Sequence, residues 1–454
     1  MATGAPVGPL RVRGDAIVQP GGRPVRLRGV NIGGWLNMEN FITGFAANES
    51  TMRAAMRSVL GADRAERFFE RLLSAFYAEA DAAFLAQLGL NCVRVPVNYR
   101  HLEADARPFE IVAGGFRHLD RAIAAGAAHG VYTIVDLHAL PGSQNQHWHS
   151  DNPTHRALFW EHRQFQDRVV TLWEAIADRY RDEPWVAGYN LMNEPADESR
   201  AVVGPFYDRL AAAIRAVDSA HILFLDGNTY STEFDCFGEP LDNAVYTLHD
   251  YVPAGLGRED RYDADAAERK FLERSEYARR TGTPLYVGEF APIYTGDPEV
   301  DAVRRRILSD QLERYRRHGA GFATWTYKDL GRQGLTYARP ESPYGALVAA
   351  FVDKKARLGV DQWGSTGREC PEVTLPVYDL VAREAPAFDP YPWGRTDWVR
   401  TLLLNITFAQ PLAQEYAELF RGLGDDELDA LADSFALANC GVRESLRDEL
   451  VASR

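Results

Sequence analysis

The 454-residue sequence holds only four cysteines, Cys92, Cys236, Cys370 and Cys440, and none stand in a CxxC spacing. That excludes a disulfide-dense secreted scaffold and a cysteine-built zinc module. Cys92 sits in an apolar, strand-like run and reads as a buried thiol, so a reducing compartment is expected, with widely spaced disulfides as the alternative. No apolar run is long enough to span a bilayer. The stretch from Met1 to Leu10 lacks the apolar core of a secretory signal, which predicts a cytoplasmic protein, or a secreted one if a leader was removed. A basic stripe is missing too. With a formal net charge of −14, nucleic acid and anionic membranes are poor partners. No GxGxxG follows the first strand-like segment, against a doubly wound nucleotide-binding sheet, and no repeat of solenoid period is visible.

What is present is an ordinary globular composition, 46% hydrophobic and 25% charged, on a chain long enough for one large domain and an appendage. Eight short β-rich segments occupy 25–31, 92–97, 131–137, 186–192, 221–226, 244–249, 285–289 and 321–327. Helical stretches fall between most of them, at 66–88, 119–129, 168–180, 204–217, 266–281 and 301–318. Alternation of this kind predicts parallel strands with crossover helices, and eight units predict an α/β (β/α)₈ TIM barrel. The expected organisation is a lead-in at 1–24, a barrel at 25–357 closed by a helix over 342–357, and an extension at 358–454. Within the extension, 361–397 is rich in Pro, Gly and Trp and reads as an irregular wrap. Two helical segments follow, at 398–423 and 425–451, packed on the barrel. Long loops at 33–66 and 139–165 are expected to shape a pocket at the carboxyl ends of the strands.

Glu194 closes the run from Val186 to Met192 in Asn193-Glu194-Pro195, and Glu289 closes Leu285-Tyr286-Val287-Gly288. Carboxylates at the ends of buried strands are costly unless used or paired. Two of them at one end of a barrel suit glycosidic bond cleavage, one protonating the leaving oxygen and the other attacking the sugar carbon. The proton donor is expected to have a pKa raised by burial, whereas the nucleophile needs donors and cations to stay ionised.

Six features in order, Arg94-Val95-Pro96, Asp136-Leu137-His138, Asn193-Glu194-Pro195, His249-Asp250-Tyr251, Gly288-Glu289-Phe290 and Trp325, resemble glycoside hydrolase family 5 over about residues 25–355. The stretches 28–36 and 136–145 resemble its exo-β-1,3-glucanase branch, beside its β-glucosidase and β-mannosidase branches. The resemblance implies Glu194 as general acid/base and Glu289 as nucleophile of a retaining enzyme, with carboxyls about 5 Å apart. It implies substrate-binding roles for Asn193 at the sugar 2-hydroxyl, for His138 and His249 in the catalytic subsite, and for Trp325 as its floor. Arg94 and Tyr251 are read as the cation and the hydroxyl donor beside Glu289. For Arg94 the alternative is a structural buried ion pair, for Asn193 an ordinary strand-end polar residue, and for Trp325 core filler. Trp35, Trp148, Tyr327 and Trp363 are further candidates for subsite walls. His147, His149 and His155 invite a metal reading, but they lie in a polar loop without a matching cysteine set or HExxH helix. No metal and no cofactor is expected, and a carbohydrate is the expected partner. The reading is a β-glycosidase acting in exo mode on short β-glucosides or β-mannosides. The alternatives are an endo-acting glucanase or mannanase, a transglycosylase, and a silent sugar-binding barrel.

Overall fold

A computed structural model describes residues 8–259, 261–360 and 369–453. Eight parallel strands close into a barrel: β1 (Arg28–Asn31), β2 (Cys92–Asn98), β3 (Tyr132–Ala139), β4 (Val186–Asn190), β5 (Ile222–Asp226), β6 (Ala244–His249), β7 (Leu285–Glu289) and β8 (Gly321–Thr324). Each strand pairs with its neighbours in chain order, and β8 returns to β1 through Ala323 opposite Gly29. Helices between consecutive strands cover the outside, except between β5 and β6, where the short Asn228–Ser231 segment is interrupted by left-handed Thr229 and Tyr230.

Strand alternation explains where the chemistry sits. Side chains two apart along a strand share a face. Ile222, Phe224 and Asp226 form one such series, Tyr132, Ile134, Asp136 and His138 a second, and Val245, Thr247 and His249 a third. Their first members join one apolar cluster with Cys92, Ala187, Tyr286 and Ala323. Leu10 and Ile17, from the lead-in and its small hairpin (Arg11–Arg13 with Ala16–Val18), complete that cluster. The amino-terminal end of the barrel is thus filled with hydrocarbon, and its carboxyl end is left to polar groups.

Three sequence expectations change. The 33–66 segment contains helices at Asn40–Thr43 and Glu49–Leu60 and the start of Ala62–Phe76. The last of these carries a buried face of Phe68, Phe69, Leu72, Leu73 and Phe76 at helical spacing. The segment read as an irregular wrap holds helices at Pro371–Glu384 and Gly394–Arg400. Pro371 stands in a first turn, where its missing N–H is not needed. Finally, β4 stops at Asn190 and β8 at Thr324, two and three residues earlier than the sequence suggests, so Trp325 lies just past its strand rather than inside it.

The extension is seated on the barrel by aromatic packing. Phe435 stacks on Phe76 at 5.5 Å, and Phe420 meets Phe68 edge-on at 5.3 Å. Lys328, fully buried, donates to Asp81 at 2.9 Å and to the Phe435 carbonyl at 2.7 Å, which ties the extension to the segment after β8. Cys440–Val442 adds an antiparallel strand to Thr336–Ala338. Arg64, Arg67 and Arg71 pair with Asp425, Asp429 and Asp433, but these ions are well exposed. Exposed pairs of this kind add little, so the apolar contacts carry the docking. Among the described residues, no helix is long and apolar enough to cross a membrane.

Candidate active site

Glu289 ends β7, and its two carboxylate oxygens have different partners. Arg94 Nη1 donates to Oε1 at 2.9 Å, and the Tyr251 hydroxyl donates to Oε2 at 2.9 Å. Burial and the adjacent Glu289 charge keep the Tyr251 phenol protonated, as a donor must be. Arg94, on β2, is fully buried. Burial works against its charge, but Asp136 and Glu289 outweigh that and hold the guanidinium protonated. It also reaches Asn190 Oδ1 at 2.7 Å, Asn31 Oδ1 at 2.9 Å and Asn193 Oδ1 at 2.7 Å. One side chain therefore fastens residues of β1, β4 and β7 and the loop after β4.

Glu194 lies in a sharp turn beyond β4 with φ at 45°, a left-handed conformation uncommon outside glycine. Such a backbone costs about 1–2 kcal/mol and has to be held. Its N–H donates to Asp226 Oδ2 at 3.0 Å, and its carbonyl accepts from Asn145 Nδ2 at 3.0 Å. Its carboxylate meets His249 Nδ1 at 2.5 Å and His149 Nε2 at 3.1 Å. One oxygen each of Glu194 and Glu289 and a ring nitrogen of His249 all lie within 4.8 Å of one another.

The acid does not carry the raised pKa that the sequence suggests. Burial alone would push Glu194 up, but His249 and His149 outweigh it and hold the carboxyl below the ordinary range. The complement is His249. Although burial disfavours its charge, Glu289, Glu194 and Asp226 raise it to about 9. At neutral pH the transferable proton of this pair therefore rests on the imidazole, one short hydrogen bond from Glu194. His138 behaves oppositely, because burial keeps it neutral. Its Nδ1 lies 2.7 Å from Asp136 Oδ2, and its ring stacks on Trp325 at 5.4 Å. Burial pushes Asp136 up to about 8, further raised by Asp226 and opposed by Arg94.

A cavity of about 230 Å³ opens over these groups, and Glu194, Glu289, His138, His249, Tyr251, Trp325 and Trp148 all line it. Arg94 and Asn193 do not. Both are fully buried, and the Asn193 amide is spent on Arg94 and on His138 Nε2 at 3.3 Å. They hold neighbours in place from beneath the cavity instead of reaching into it: Arg94 is the cation beside Glu289 rather than a substrate contact, and Asn193 departs from the 2-hydroxyl contact that the resemblance implies. Trp35 is not a subsite wall: it is fully buried, packs on Tyr77 and donates Nε1–H to the Leu73 carbonyl at 2.8 Å. Tyr327 is likewise core, with its hydroxyl 2.6 Å from Asp81. Trp363 lies outside the described residues.

Sequence reasoning missed five contributors. Asp226 closes the apolar run of β5 as the glutamates close theirs, and the same argument would have found it. Glu39, from the first long segment, lies 3.4 Å from His138 Nε2 and lines the cavity. His149 and Tyr230 flank Glu194, and Trp393 of the extension packs on Tyr230 at 5.3 Å. Loop and extension residues carry no periodic signal that could have marked them.

Two groups were weighed for metal binding. His147 turns to Asp397 at 3.4 Å and His155 Nδ1 to the Gln146 carbonyl at 3.1 Å, so the loop histidines do not converge. Among the described residues, Glu194, His249 and Glu289 have ligand spacing. Arg94 and the His249 imidazolium already neutralise these carboxylates, which suits proton transfer better than a further cation.

A parallel eight-stranded barrel presenting paired carboxylates at its carboxyl end is a plan that suits a glycoside hydrolase. The chain belongs to glycosyl hydrolase family 5, since residues 68–331 match the family model described as Cellulase (glycosyl hydrolase family 5). It is 44% identical to a Phanerodontia chrysosporium protein named beta-xylosidase, over 97% of each chain. It is 32% identical to a probable glucan 1,3-beta-glucosidase A of Emericella nidulans, over 85% of this chain and 91% of that one. Among solved structures, an endogalactoceramidase shares the fold with a TM-score of 0.56 at 19% identity, covering 77% of this chain and 78% of that one.

Proposed function

We propose that the protein is a retaining, exo-acting β-glycosidase that removes one β-linked xylosyl or glucosyl residue at a time from short oligosaccharides or glycoconjugates. The observation that carries this is the close approach of the two glutamates, with oxygens within 4.8 Å and His249 between them. A short separation suits direct attack, because an inverting pair must leave room for a water. Glu289 attacks the anomeric carbon while Glu194, supplied from the His249 imidazolium, passes a proton to the departing oxygen. The C–O bond to the leaving group breaks as the bond to Glu289 forms. Water then enters, Glu194 takes its proton, and its oxygen displaces Glu289 from the sugar.

Exo action is supported by what encloses the cavity. Glu39, the 147–149 turn and Trp393 come from three separate segments around one compact space. The sequence alone pointed to glucosides or mannosides. The names of the two relatives favour a xylosyl or glucosyl glycone. Aryl β-xyloside, β-glucoside, β-mannoside and β-galactoside assayed side by side decide the glycone. Proton NMR should show the β-anomer first, and early digests of an oligosaccharide should contain monosaccharide. An α-anomer as first product removes the double-displacement mechanism, and early di- or trisaccharides remove the exo mode.

A further inference from the structure

The order of strands in the barrel divides the cavity. From β4, which leads to Glu194, to β7, which carries Glu289, the ring runs one way through β5 and β6 and the other through β8, β1, β2 and β3. The longer arc supplies Trp325, Glu39 and His138, an aromatic face with polar partners for hydroxyls. On the reading proposed above, the sugar that is attacked lies there. The shorter arc, with the extension, then surrounds the group that departs, and its chemistry is different.

That half presents Tyr230 and Trp393, tilted at 5.3 Å, with Leu256 beside them. It also presents Arg258 and Lys270. Arg274, from the same arc, is engaged with the His249 carbonyl at 3.0 Å and lies 3.7 Å from Asp250. Among the described residues, Arg258 and Lys270 have no carboxylate within ion-pair distance. The carboxylate whose charge acts on Arg258 is Asp397, beyond ion-pair distance and already committed to His147 and Arg400. Glu259, Asp263 and Glu273 share the neighbouring depression with Lys270 but do not line this cavity. The carboxylates that do, Glu39, Glu194 and Glu289, all belong to the catalytic groups and their glycone side. They repel an anion unless cations offset them.

We propose that the leaving-group half of the cavity is built for an aglycone that carries a carboxylate on a ring, the ring against Trp393 and Tyr230 and the acid at Arg258 and Lys270. An acidic sugar and an aromatic acid share this chemistry. The reaction itself is unchanged, since the aglycone departs as its neutral alcohol or phenol with the carboxylate intact.

The test compares each acid with its methyl ester, so that the carboxylate charge is the variable. One arm uses 4-carboxyphenyl and 4-(methoxycarbonyl)phenyl β-glycosides. The other uses a β-glycosyl-glucuronic acid and its methyl ester. The quantity read is kcat/KM for the acid over kcat/KM for the ester, taken in wild type, Arg258→Gln, Lys270→Gln and the double variant. Differences in leaving-group reactivity cancel between proteins. Partly exposed ion pairs predict a fall of about 2–5-fold in each single variant and about 10-fold in the double. Salt should erode the ratio in wild type and leave the double variant flat. Trp393→Ala should lower kcat/KM for acid and ester alike. The arm with the larger loss identifies the source of the acid. Turnover with the same ratio in wild type and double variant overturns the proposal and leaves the glycosidase reading intact. If wild type turns over none of the glycosides, the glycosidase reading is what fails. The inference is then decided by calorimetric binding of 4-hydroxybenzoate against its methyl ester, where equal preference in both proteins refutes it.

Discussion

Replacing His249 by asparagine removes the group on which the transferable proton of the site rests. In the folded protein this imidazole is raised from 6.5 to about 9 by Glu289, Glu194 and Asp226, against the opposing effect of burial. At about 1.4 kcal/mol per pKa unit, the carboxylates net of burial favour the imidazolium by roughly 3 kcal/mol over its state in water. Because Nδ1 is 2.5 Å from Glu194, the two residues titrate as a pair holding one proton. The basic limb of kcat/KM should then lie near pH 9 in wild type. In His249→Asn, Glu194 keeps only His149 as a proton-sharing neighbour, and the limb should move acidward by up to about 2 units. Stability should follow the same proton. A raised folded-state pKa gives stabilisation that is complete below about pH 6.5 and is lost as pH climbs to about 9. Asp136, raised to about 8, acts with the same sign from its ordinary value upward. Wild-type Tm should therefore fall between pH 6.5 and 9, and less steeply in the variant. The assays are pH profiles with an activated aryl glycoside and an unactivated one, and thermal melts by circular dichroism. A basic limb that stays near pH 9 in His249→Asn, or a wild-type Tm that rises over that interval, refutes the assignment.

Glu194→Ala should slow substrates with poor leaving groups far more than activated aryl glycosides, and azide should rescue it with formation of a β-glycosyl azide. Rescue of Glu289→Ala with an α-azide is the matching outcome for the nucleophile, and the opposite pattern reverses the two roles. Arg94→Met should abolish turnover and cost about 3–5 kcal/mol by urea unfolding, because the buried Glu289 would lose its guanidinium partner and keep only the more distant His249 imidazolium at 3.6 Å. A variant of wild-type stability counts against that. Gly33→Ala should raise KM about 10-fold and cost about 1–3 kcal/mol of stability, since a Cβ there would come within 2.8 Å of the Trp325 ring and 2.9 Å of the Thr326 hydroxyl, both buried. Deleting part of 143–155 should cost kcat as well as glycone binding, because Asn145 and His149 hold the backbone and carboxylate of Glu194. An effect on KM alone would show that this loop only walls the cavity.

The barrel was legible because each strand is a buried apolar run closed by a polar group, and that pattern needs no tertiary information. Asp226 ends Ile222–Leu225 as Glu289 ends Leu285–Gly288, and the period-two interior dictates that polar groups gather at one end. The state of those groups was not legible. From sequence, burial is the only visible influence on Glu194, and it points upward. In the folded chain His249 from β6 and His149 from the third loop reverse it. Tryptophans were misjudged for a related reason. Trp35 and Trp148 both look like sugar platforms. One is sunk against Tyr77 and the Leu73 carbonyl, while the other faces the cavity, and neighbours far away in sequence make the difference.

Least legible was the part played by the extension. Its 361–397 stretch, rich in Pro, Gly and Trp, reads from sequence as an irregular wrap with Trp363 as its subsite candidate. Yet the Gly394–Arg400 helix places Asp397 against His147, and the adjoining Trp393 meets Tyr230. His147 and Tyr230 are themselves 5.1 Å apart, and Tyr230 is 5.9 Å from His149, which touches Glu194. A continuous chain of contacts thus runs from the extension to Glu194. The buried Lys328, Phe435 and Phe76 contacts that seat the extension therefore bear on catalysis as well as on folding. Loosening them should unsettle the leaving-group half of the cavity before it touches Glu289, which Arg94 holds from inside the barrel.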